Sequence, residues 1–397
     1  MSSSTIRRRR APTTRQHMNR DAADTRTEDK PDGPSGYEIW NVGGHLTETL
    51  RYRALPSTSL IKHVAVFFPG KSGLGGGDQA GIHHGDRSHF RLQTEAVWVI
   101  TQLCYFSYAL FFSHEGCDLI YIDLLPTTCA ACIGQPRIIG YYQPYLQALY
   151  AEFDGTLEVV GCSYPGHSLY IEHKDTKALS LDMQISHKIA FFNTVTQNYP
   201  AMTTHYILIG HSLGAYMCLK VLGSQPEATI VRVVALFPTL HSIANTPQGQ
   251  RARVYTLPPI RWTAQSILSC MTALLTPKLF SAIVGAITGM QGQILQVTAR
   301  MLRSPTNVSN AMYLGACEMD QIRDLVHREA LIQHADKFIL YYGAEDGWSP
   351  VSHYEEMRKV LSCAQVMLCR RGIPHAFVIE HSDLLAKMTR EWLNNVL

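Results

Sequence analysis

Charged residues are scarce in this chain, and their scarcity excludes several classes of protein. Asp, Glu, Lys and Arg together make up 17% of the 397 residues, whereas apolar residues make up 46%. This balance excludes a mainly disordered or fibrous protein and leaves enough apolar material for a sizeable core. The mean hydropathy of −0.05 excludes a polytopic membrane protein. The length fits one large domain with an insertion, or two domains.

Acidic residues are absent from the first 20 positions, which hold six arginines. The formal net charge of the whole chain is +3, so the chain without these six charges sums to about −3. The basic character therefore belongs to the tail, and the folded part gives no reason to expect nucleic-acid binding. The first Met is not followed by the apolar segment of a secretory signal, and we expect residues 1–36 to form a disordered basic tail.

The sequence has no spacing typical of a disulfide framework, although it contains ten cysteines. Cys129 and Cys132 form a lone C-x-x-C pair, and zinc would need a second pair of ligands at a suitable spacing. We therefore expect reduced thiols, no metal site and no cofactor.

Short apolar segments alternate with helical patterns along most of the chain. Segments typical of buried strands are 63–68, 156–161, 205–209, 230–236, 337–342 and 364–369, and helical spacing marks 180–198, 213–222 and 382–396. This alternation predicts an α/β fold in which helices cover both faces of a mostly parallel central sheet.

One long segment between two predicted strands is almost free of charge. Lys278 is the only charged residue from Trp262 to Ala299, and Thr276-Pro277 divides this segment into two apolar pieces. Each piece is too short to span a bilayer. The segment forms either a cap packed over the sheet edge or a cap with an exposed, lipid-facing surface.

A sequence typical of a nucleophile elbow joins the strand at 205–209 to the following helix. Gly210-x-Ser212-x-Gly214 lies at this junction, where a sharp turn would present the serine hydroxyl and the helix N-terminus would stabilise negative charge. The alternative is a glycine-rich turn with an inert serine. His211 lies inside the turn, and we expect its ring to point away from the attacking face.

An acid and a base should follow the serine in the chain, each after a strand. Asp346 comes after the strand at 337–342 and is the best candidate for the acid, with Glu345 as the alternative. His375 follows the segment 364–369 and is the candidate base, since imidazole accepts and returns protons near neutral pH. The alternatives are that Asp346 is an ordinary turn residue and that His375 makes only a structural hydrogen bond in its loop.

Two backbone amides are needed to stabilise an oxyanion. Leu213, directly after the serine, is one candidate, and Gly70, at the end of the strand 63–68, is the other. Gly70-Lys71-Ser72 also ends like a phosphate-binding loop. Ala65 and the apolar residues after it read as strand instead, so we expect no nucleotide binding.

Eight short motifs together resemble the lipid droplet-associated hydrolase family, a branch of the α/β-hydrolases. The resemblance covers roughly residues 63–397 apart from 71–137. Its motifs are Phe67-Phe68-Pro69-Gly70, residues 138–145, residues 162–167, residues 181–188, residues 210–216, Phe237-Pro238-Thr239, the Tyr-Gly-x-x-Asp-x-Trp-x-Pro sequence that ends at Pro350, and Pro374-His375-Ala376-Phe377.

The resemblance implies a serine esterase with the triad Ser212, Asp346 and His375. It also implies residence on lipid droplets and the endoplasmic reticulum, and sterol esters or other neutral-lipid esters as substrates. The resemblance further implies weak catalytic activity, so a droplet surface protein that keeps the fold for shape is one alternative. A soluble esterase for small acyl esters is another.

The expected organisation is an α/β-hydrolase core interrupted by an insertion and a cap. The core comprises residues 37–238 and 326–397, and an apolar helical cap occupies 239–325. Residues 71–137 are an atypical insertion that splits the loop after Gly70, and a translated intron would explain them. Within this insertion, 96–112 is uncharged and reads as a borderline membrane span.

Overall fold

The central element of the fold is a mostly parallel sheet. The computed structural model describes residues 36–54, 62–70, 137–171, 178–198, 204–225, 230–325, 328–361 and 364–394. The strands within these residues are β1 Tyr37–Val42, β2 His45–Tyr52, β3 Lys62–Phe68, β4 Glu158–Cys162, β5 Thr204–His211, β6 Ile230–Leu236, β7 Phe338–Gly343 and β8 Gln365–Cys369. They form one sheet in the order β1-β2-β4-β3-β5-β6-β7-β8. β2 runs antiparallel to both of its neighbours, β1 and β4, and all the other neighbouring strands are parallel.

The predicted strands are confirmed, with ends that differ by at most two residues. Sequence reasoning did not assign the hairpin of β1 and β2. Its turn consists of Gly43 and Gly44, whose φ angles are 55° and 84°. A two-residue turn with both φ angles positive matches the twist of a hairpin and favours glycine.

Helices cover the sheet on both faces, as predicted. They are α1 Gln143–Glu152, α2 Leu181–Asn198, α3 Leu213–Ser224, α4 Pro247–Tyr255, α5 Pro258–Leu274, α6 Pro277–Thr288, α7 Gly292–Leu302, α8 Pro305–Gln321, α9 Arg328–Gln333, α10 Val351–Val360 and α11 Ser382–Leu393. Alternate residues of β3 join different apolar clusters: Val64, Val66 and Phe68 pack with α2 and α3, while Ala65 and Phe67 pack with α1 and α11. Side chains of a strand point alternately to opposite faces, so the core has one layer on each side of the sheet.

Among the described residues, five helices, α4 to α8, lie within 239–325, where the sequence predicts the cap. Leu268, Phe280 and Val308 form part of a small apolar cluster within them. Thr276 caps α6 by accepting a hydrogen bond from Leu279 N–H at 3.3 Å, and Pro277 occupies the first turn, so the predicted break between the two apolar pieces is present. In the part of the chain that the structure describes, no helix combines the length and apolarity needed to cross a membrane.

Arg137 lies at the last position of the predicted insertion and is fully buried. Its guanidinium forms an ion pair with Glu318 of α8 and donates a hydrogen bond to the carbonyl oxygen of Ala311 at 2.8 Å. Arg137 therefore belongs to the packed interior. The rest of the insertion, with its uncharged segment and the Cys129–Cys132 pair, lies outside the described residues, as does the predicted tail at 1–36 except for Gly36. The division into core and cap remains a prediction.

Candidate active site

Ser212 lies on a strained turn between β5 and α3. Its backbone has φ 53° and ψ −116°, a conformation that residues with a Cβ rarely adopt. Such strain costs roughly 1–3 kcal/mol and is typical of functional sites. A Cβ at Gly210 would lie only 2.3 Å from the carbonyl oxygen of Gly214, so both glycines allow the turn to close tightly. This is the local structure that the sequence pattern predicts.

The end of β3 packs directly against this turn. A Cβ at Gly70 would lie 1.6 Å from the carbonyl oxygen of His211 and 2.6 Å from Cβ of Ser212. A Cβ at Gly214 would lie 2.0 Å from the carbonyl oxygen of Phe68. The absence of side chains at these two glycines therefore lets the strand end and the serine turn touch.

Asp346 and His375 form a hydrogen-bonded pair. His375 Nδ1 lies 2.7 Å from Asp346 Oδ2, and both side chains are buried. The other carboxylate oxygen, Oδ1, accepts hydrogen bonds from the N–H groups of Trp348 at 2.8 Å and Ser349 at 3.2 Å. These bonds fix the carboxylate behind the ring. Glu345, the alternative acid, is exposed.

Within the described residues, the Ser212 side chain is hydrogen-bonded to a neighbour of this pair and not to the pair itself. Ser212 Oγ is buried and lies 3.5 Å from Thr239 Oγ1, in the segment after β6. The Ser349 hydroxyl donates a hydrogen bond of 2.6 Å to the carbonyl oxygen of Pro238, which precedes Thr239. The N–H of the same Ser349 is one of the two that bond to Asp346. Among the described residues, His375 Nε2 has no hydrogen-bond partner and is buried. The ring nitrogen that faces away from Asp346 is therefore available to a hydroxyl, and catalytic hydrogen bonds commonly tighten only when substrate binds.

The two predicted oxyanion donors have different surroundings. Leu213 is the first residue of α3, so its N–H has no partner four residues earlier in that helix. The Gly70 N–H instead donates a hydrogen bond to the Tyr142 hydroxyl at 3.0 Å. This contact differs from the expectation that the Gly70 N–H is directed to an oxyanion.

Sequence reasoning assigned no individual role to Thr239, Phe237 or Tyr142. Phe237 has a φ of 46° without being glycine, its N–H donates to the carbonyl oxygen of Tyr341 at 2.7 Å, and its ring centroid is 5.9 Å from that of His375. Phe237 and Thr239 directly follow β6, at the edge of the sheet where the carboxyl ends of parallel strands meet. The position of a residue just after a central strand is the signal that could have identified both of them. A search of the described residues finds no group of three His, Cys, Asp or Glu side chains that could hold a metal ion.

Comparison with known proteins identifies the family. The family model described as lipid-droplet associated hydrolase matches residues 128–378, which is more than half of the chain. The chain belongs to this family. The resemblance read from the sequence motifs is thus confirmed, and the match includes the last ten residues of the predicted insertion. The lipid droplet-associated hydrolase of Mus musculus is 31% identical over 280 residues, an alignment that covers 66% of this chain and 83% of the mouse protein.

Solved structures with little sequence similarity share the fold. The crystal structure of DBJA has a TM-score of 0.53 at 10% identity and covers 90% of this chain and 97% of its own. A carboxylesterase of the thaumarchaeon Nitrososphaera gargenis has a TM-score of 0.50 at 12% identity and covers 90% of this chain and 98% of its own. At this identity the similarity concerns the fold alone, and it confirms the predicted α/β-hydrolase architecture. Family and fold together make the chain a hydrolase.

Proposed function

We propose that the chain is a serine hydrolase that cleaves carboxylic esters of neutral lipids, sterol esters or acylglycerols, at the surface of lipid droplets. The observation that carries this proposal is the buried pair of Asp346 and His375, together with the strained turn at Ser212. The neighbouring His211 of that turn contacts the carbonyl oxygen of His375 at 2.9 Å. An imidazole with a carboxylate at Nδ1 and an unpartnered Nε2 is the arrangement needed to activate a hydroxyl.

In the proposed mechanism, His375 Nε2 removes the proton from Ser212 Oγ as the oxygen attacks the ester carbonyl carbon. The negative charge that develops on the carbonyl oxygen is stabilised by the N–H of Leu213 and by the N-terminus of α3. His375 returns the proton to the departing alcohol, which leaves an acyl group on Ser212. A water molecule, deprotonated by the same imidazole, then hydrolyses the acyl-enzyme. Asp346 holds the imidazole in the tautomer and orientation that these steps need.

The apolar outer surface of the cap supports a lipid surface as the place of action. In α5, Trp262 and Leu274 are 62% and 83% exposed, and Leu279 of α6 is also exposed. The only charge from 262 to 299 is Lys278. Large exposed apolar side chains in a segment with so few charges are typical of surfaces that contact lipid. The names of the curated relatives add to this argument, and the same surface would serve the endoplasmic reticulum.

A second candidate function is a droplet surface protein with little or no catalysis. Two observations favour it: Ser212 is completely buried, and the Gly70 N–H is already bonded to Tyr142. On this reading the fold is retained for lipid storage or droplet turnover rather than for ester cleavage.

A panel of esters separates these possibilities. The wild type, Ser212→Ala and Ser224→Ala would each be incubated with emulsified cholesteryl oleate, emulsified trioleoylglycerol and soluble p-nitrophenyl acetate. Ser224 lies at the far end of α3, so its variant controls for substitution in the same helix. We expect hydrolysis of a neutral-lipid ester by the wild type and Ser224→Ala only. Cleavage restricted to the soluble ester would favour a small-acyl esterase, and no cleavage at all would favour the surface protein.

A further inference from the structure

Four buried groups connect the serine turn, the end of β3 and the loop of the catalytic histidine. Tyr142 Oη lies 3.0 Å from the Gly70 nitrogen and 2.7 Å from His211 Nδ1. On the other side of the same ring, His211 Nε2 lies 2.9 Å from the carbonyl oxygen of His375. Tyr142 and His211 are both fully buried, so solvent cannot replace these bonds.

The chemistry of the partners fixes the direction of each bond. The carbonyl oxygen of His375 can only accept, so His211 Nε2 carries the proton. In a neutral ring, Nδ1 then has the lone pair, and the Tyr142 hydroxyl must donate to it. The Tyr142 oxygen, having used its one proton, accepts from the Gly70 N–H. The Tyr142 oxygen also lies 3.0 Å from the Gly70 carbonyl oxygen. Because the only hydroxyl proton is donated to His211, this second contact is not a hydrogen bond.

A neutral His211 agrees with its surroundings. Burial, followed by the positive charge that His375 can carry nearby, lowers the pKa of His211 well below its usual value. The rings of Tyr142, Phe237, His375 and Phe377 lie around it, with centroids 4.9 to 6.1 Å away. A charged imidazole would have little to solvate it there.

We propose that Tyr142 and His211 are positioning residues for the reaction, and that the directed chain from Gly70 N–H through Tyr142 and His211 to the His375 carbonyl holds the catalytic loop against the serine turn. The proposal rests on the proposed function, because the loop that it positions is the one that carries the proposed base. His211 thereby acquires a role inside the serine turn that is separate from attack on substrate.

The test compares two tyrosines of the same segment. Tyr142→Phe removes the hydroxyl in the chain while it keeps the ring. Tyr145→Phe is the matched control: Tyr145 is equally buried and also packs against Phe67 and Phe377, but its hydroxyl is hydrogen-bonded to Thr389 Oγ1 of α11 at 3.0 Å. For p-nitrophenyl butyrate we expect Tyr142→Phe to lower kcat roughly ten- to hundredfold with little change in KM, since small displacements of a catalytic group have effects of this size. Tyr145→Phe should leave kcat within about twofold.

Nitrogen-15 spectra of histidine-labelled wild type provide a readout that does not depend on activity. The His211 imidazole should remain in the neutral Nε2–H form over roughly pH 5 to 8, where a free histidine titrates. Its signals should be absent in His211→Gln and shifted in Tyr142→Phe but not in Tyr145→Phe. A His211 that titrates or carries its proton on Nδ1 would overturn the proposal, as would equal kcat values in the two phenylalanine variants.

The two proposals fail in different ways. If the wild type neither cleaves esters nor reacts with a fluorophosphonate, the proposed function fails. The spectra still decide whether the directed chain exists in that case. If the wild type is active and its His211 signals lack the predicted form, only the positioning role is lost.

Discussion

The buried ion pair between Arg137 and Glu318 allows a strong test of how α8 is held to the rest of the fold. Both side chains have no exposed area, and the pair connects the segment before β4 to α8. Glu318→Gln keeps the shape of the side chain but removes the negative charge that Glu318 places beside the buried Arg137 guanidinium. Breaking a buried pair in this way costs about 3–5 kcal/mol of unfolding free energy.

An exposed ion pair at the end of the same helix serves as the control, with Asp320 in α8 and Arg323 two residues after its last residue. Asp320 and Arg323 are each 69% exposed and also form an ion pair. Such a pair contributes at most about 1 kcal/mol, because water and salt screen it. Asp320→Asn applies the same carboxylate-to-amide change two residues away and should therefore move the unfolding midpoint little.

Urea unfolding followed by tryptophan fluorescence measures both variants. A domain is commonly stable by about 5–15 kcal/mol, so the loss in Glu318→Gln should be easy to detect. The double variant Arg137→Met/Glu318→Met should recover most of the stability, since well-packed apolar residues can replace a buried pair. If Glu318→Gln and Asp320→Asn unfold at the same urea concentration, the account of this pair as a buried contact between the segment before β4 and α8 is refuted.

Three further predictions concern acidity, packing and lipid contact. Burial raises the pKa of Glu48 from about 4.5 to about 7, so the folded state binds this proton more tightly than the unfolded state. The resulting stabilisation, about 3 kcal/mol, is complete below pH 4.5 and is lost as the pH rises through 7. In urea titrations, Glu48→Gln should flatten the dependence of stability on pH over this range, and an unchanged slope would contradict the prediction. Gly214→Ala should prevent folding, because its Cβ would lie 2.0 Å from the carbonyl oxygen of Phe68. Gly223→Ala in the same helix has no atom within 4 Å of its Cβ and should raise the free energy of unfolding by roughly 0.5–1 kcal/mol. Equal soluble yields of the two variants would argue against the close packing of Gly214 on the end of β3. In flotation assays, Trp262→Glu should lower binding to triacylglycerol droplets about tenfold. Ile332→Glu is the control, because Ile332 is 48% exposed but lies outside the cap, and its binding should be unchanged. Equal losses in the two variants would show that the cap surface is not the lipid contact.

Much of the sheet could be predicted from sequence because buried parallel strands are short, continuous apolar segments. The segment 230–236 matches β6 residue for residue. The β1–β2 hairpin was missed because its residues mix polar and apolar side chains, and the Gly43-Gly44 turn was the signal that could have located it. The same reasoning extends to residues at the strand-to-loop junctions, and it is the basis on which Ser212, Asp346 and His375 are proposed.

Contacts between segments distant in the chain could not be predicted in this way. Tyr142 and Gly70 are 72 positions apart, and Arg137 and Glu318 are 181 apart. Their pairing depends on the three-dimensional placement of loops and helices, which hydrophobic periodicity does not encode. The hydrogen bond that engages the Gly70 N–H is of this kind, so the expectation of that amide as an oxyanion donor could only be examined in the structure.

The most direct test of the central claim is the rate at which Ser212 reacts with a fluorophosphonate probe. The account predicts covalent labelling of the wild type at Ser212, identified by mass spectrometry of the modified peptide. It predicts no labelling of Ser212→Ala and greatly slowed labelling of His375→Ala and Asp346→Asn, each folded as judged by circular dichroism. Labelling of His375→Ala at the wild-type rate, or a folded wild type that does not react, would contradict the claim that this imidazole activates the serine.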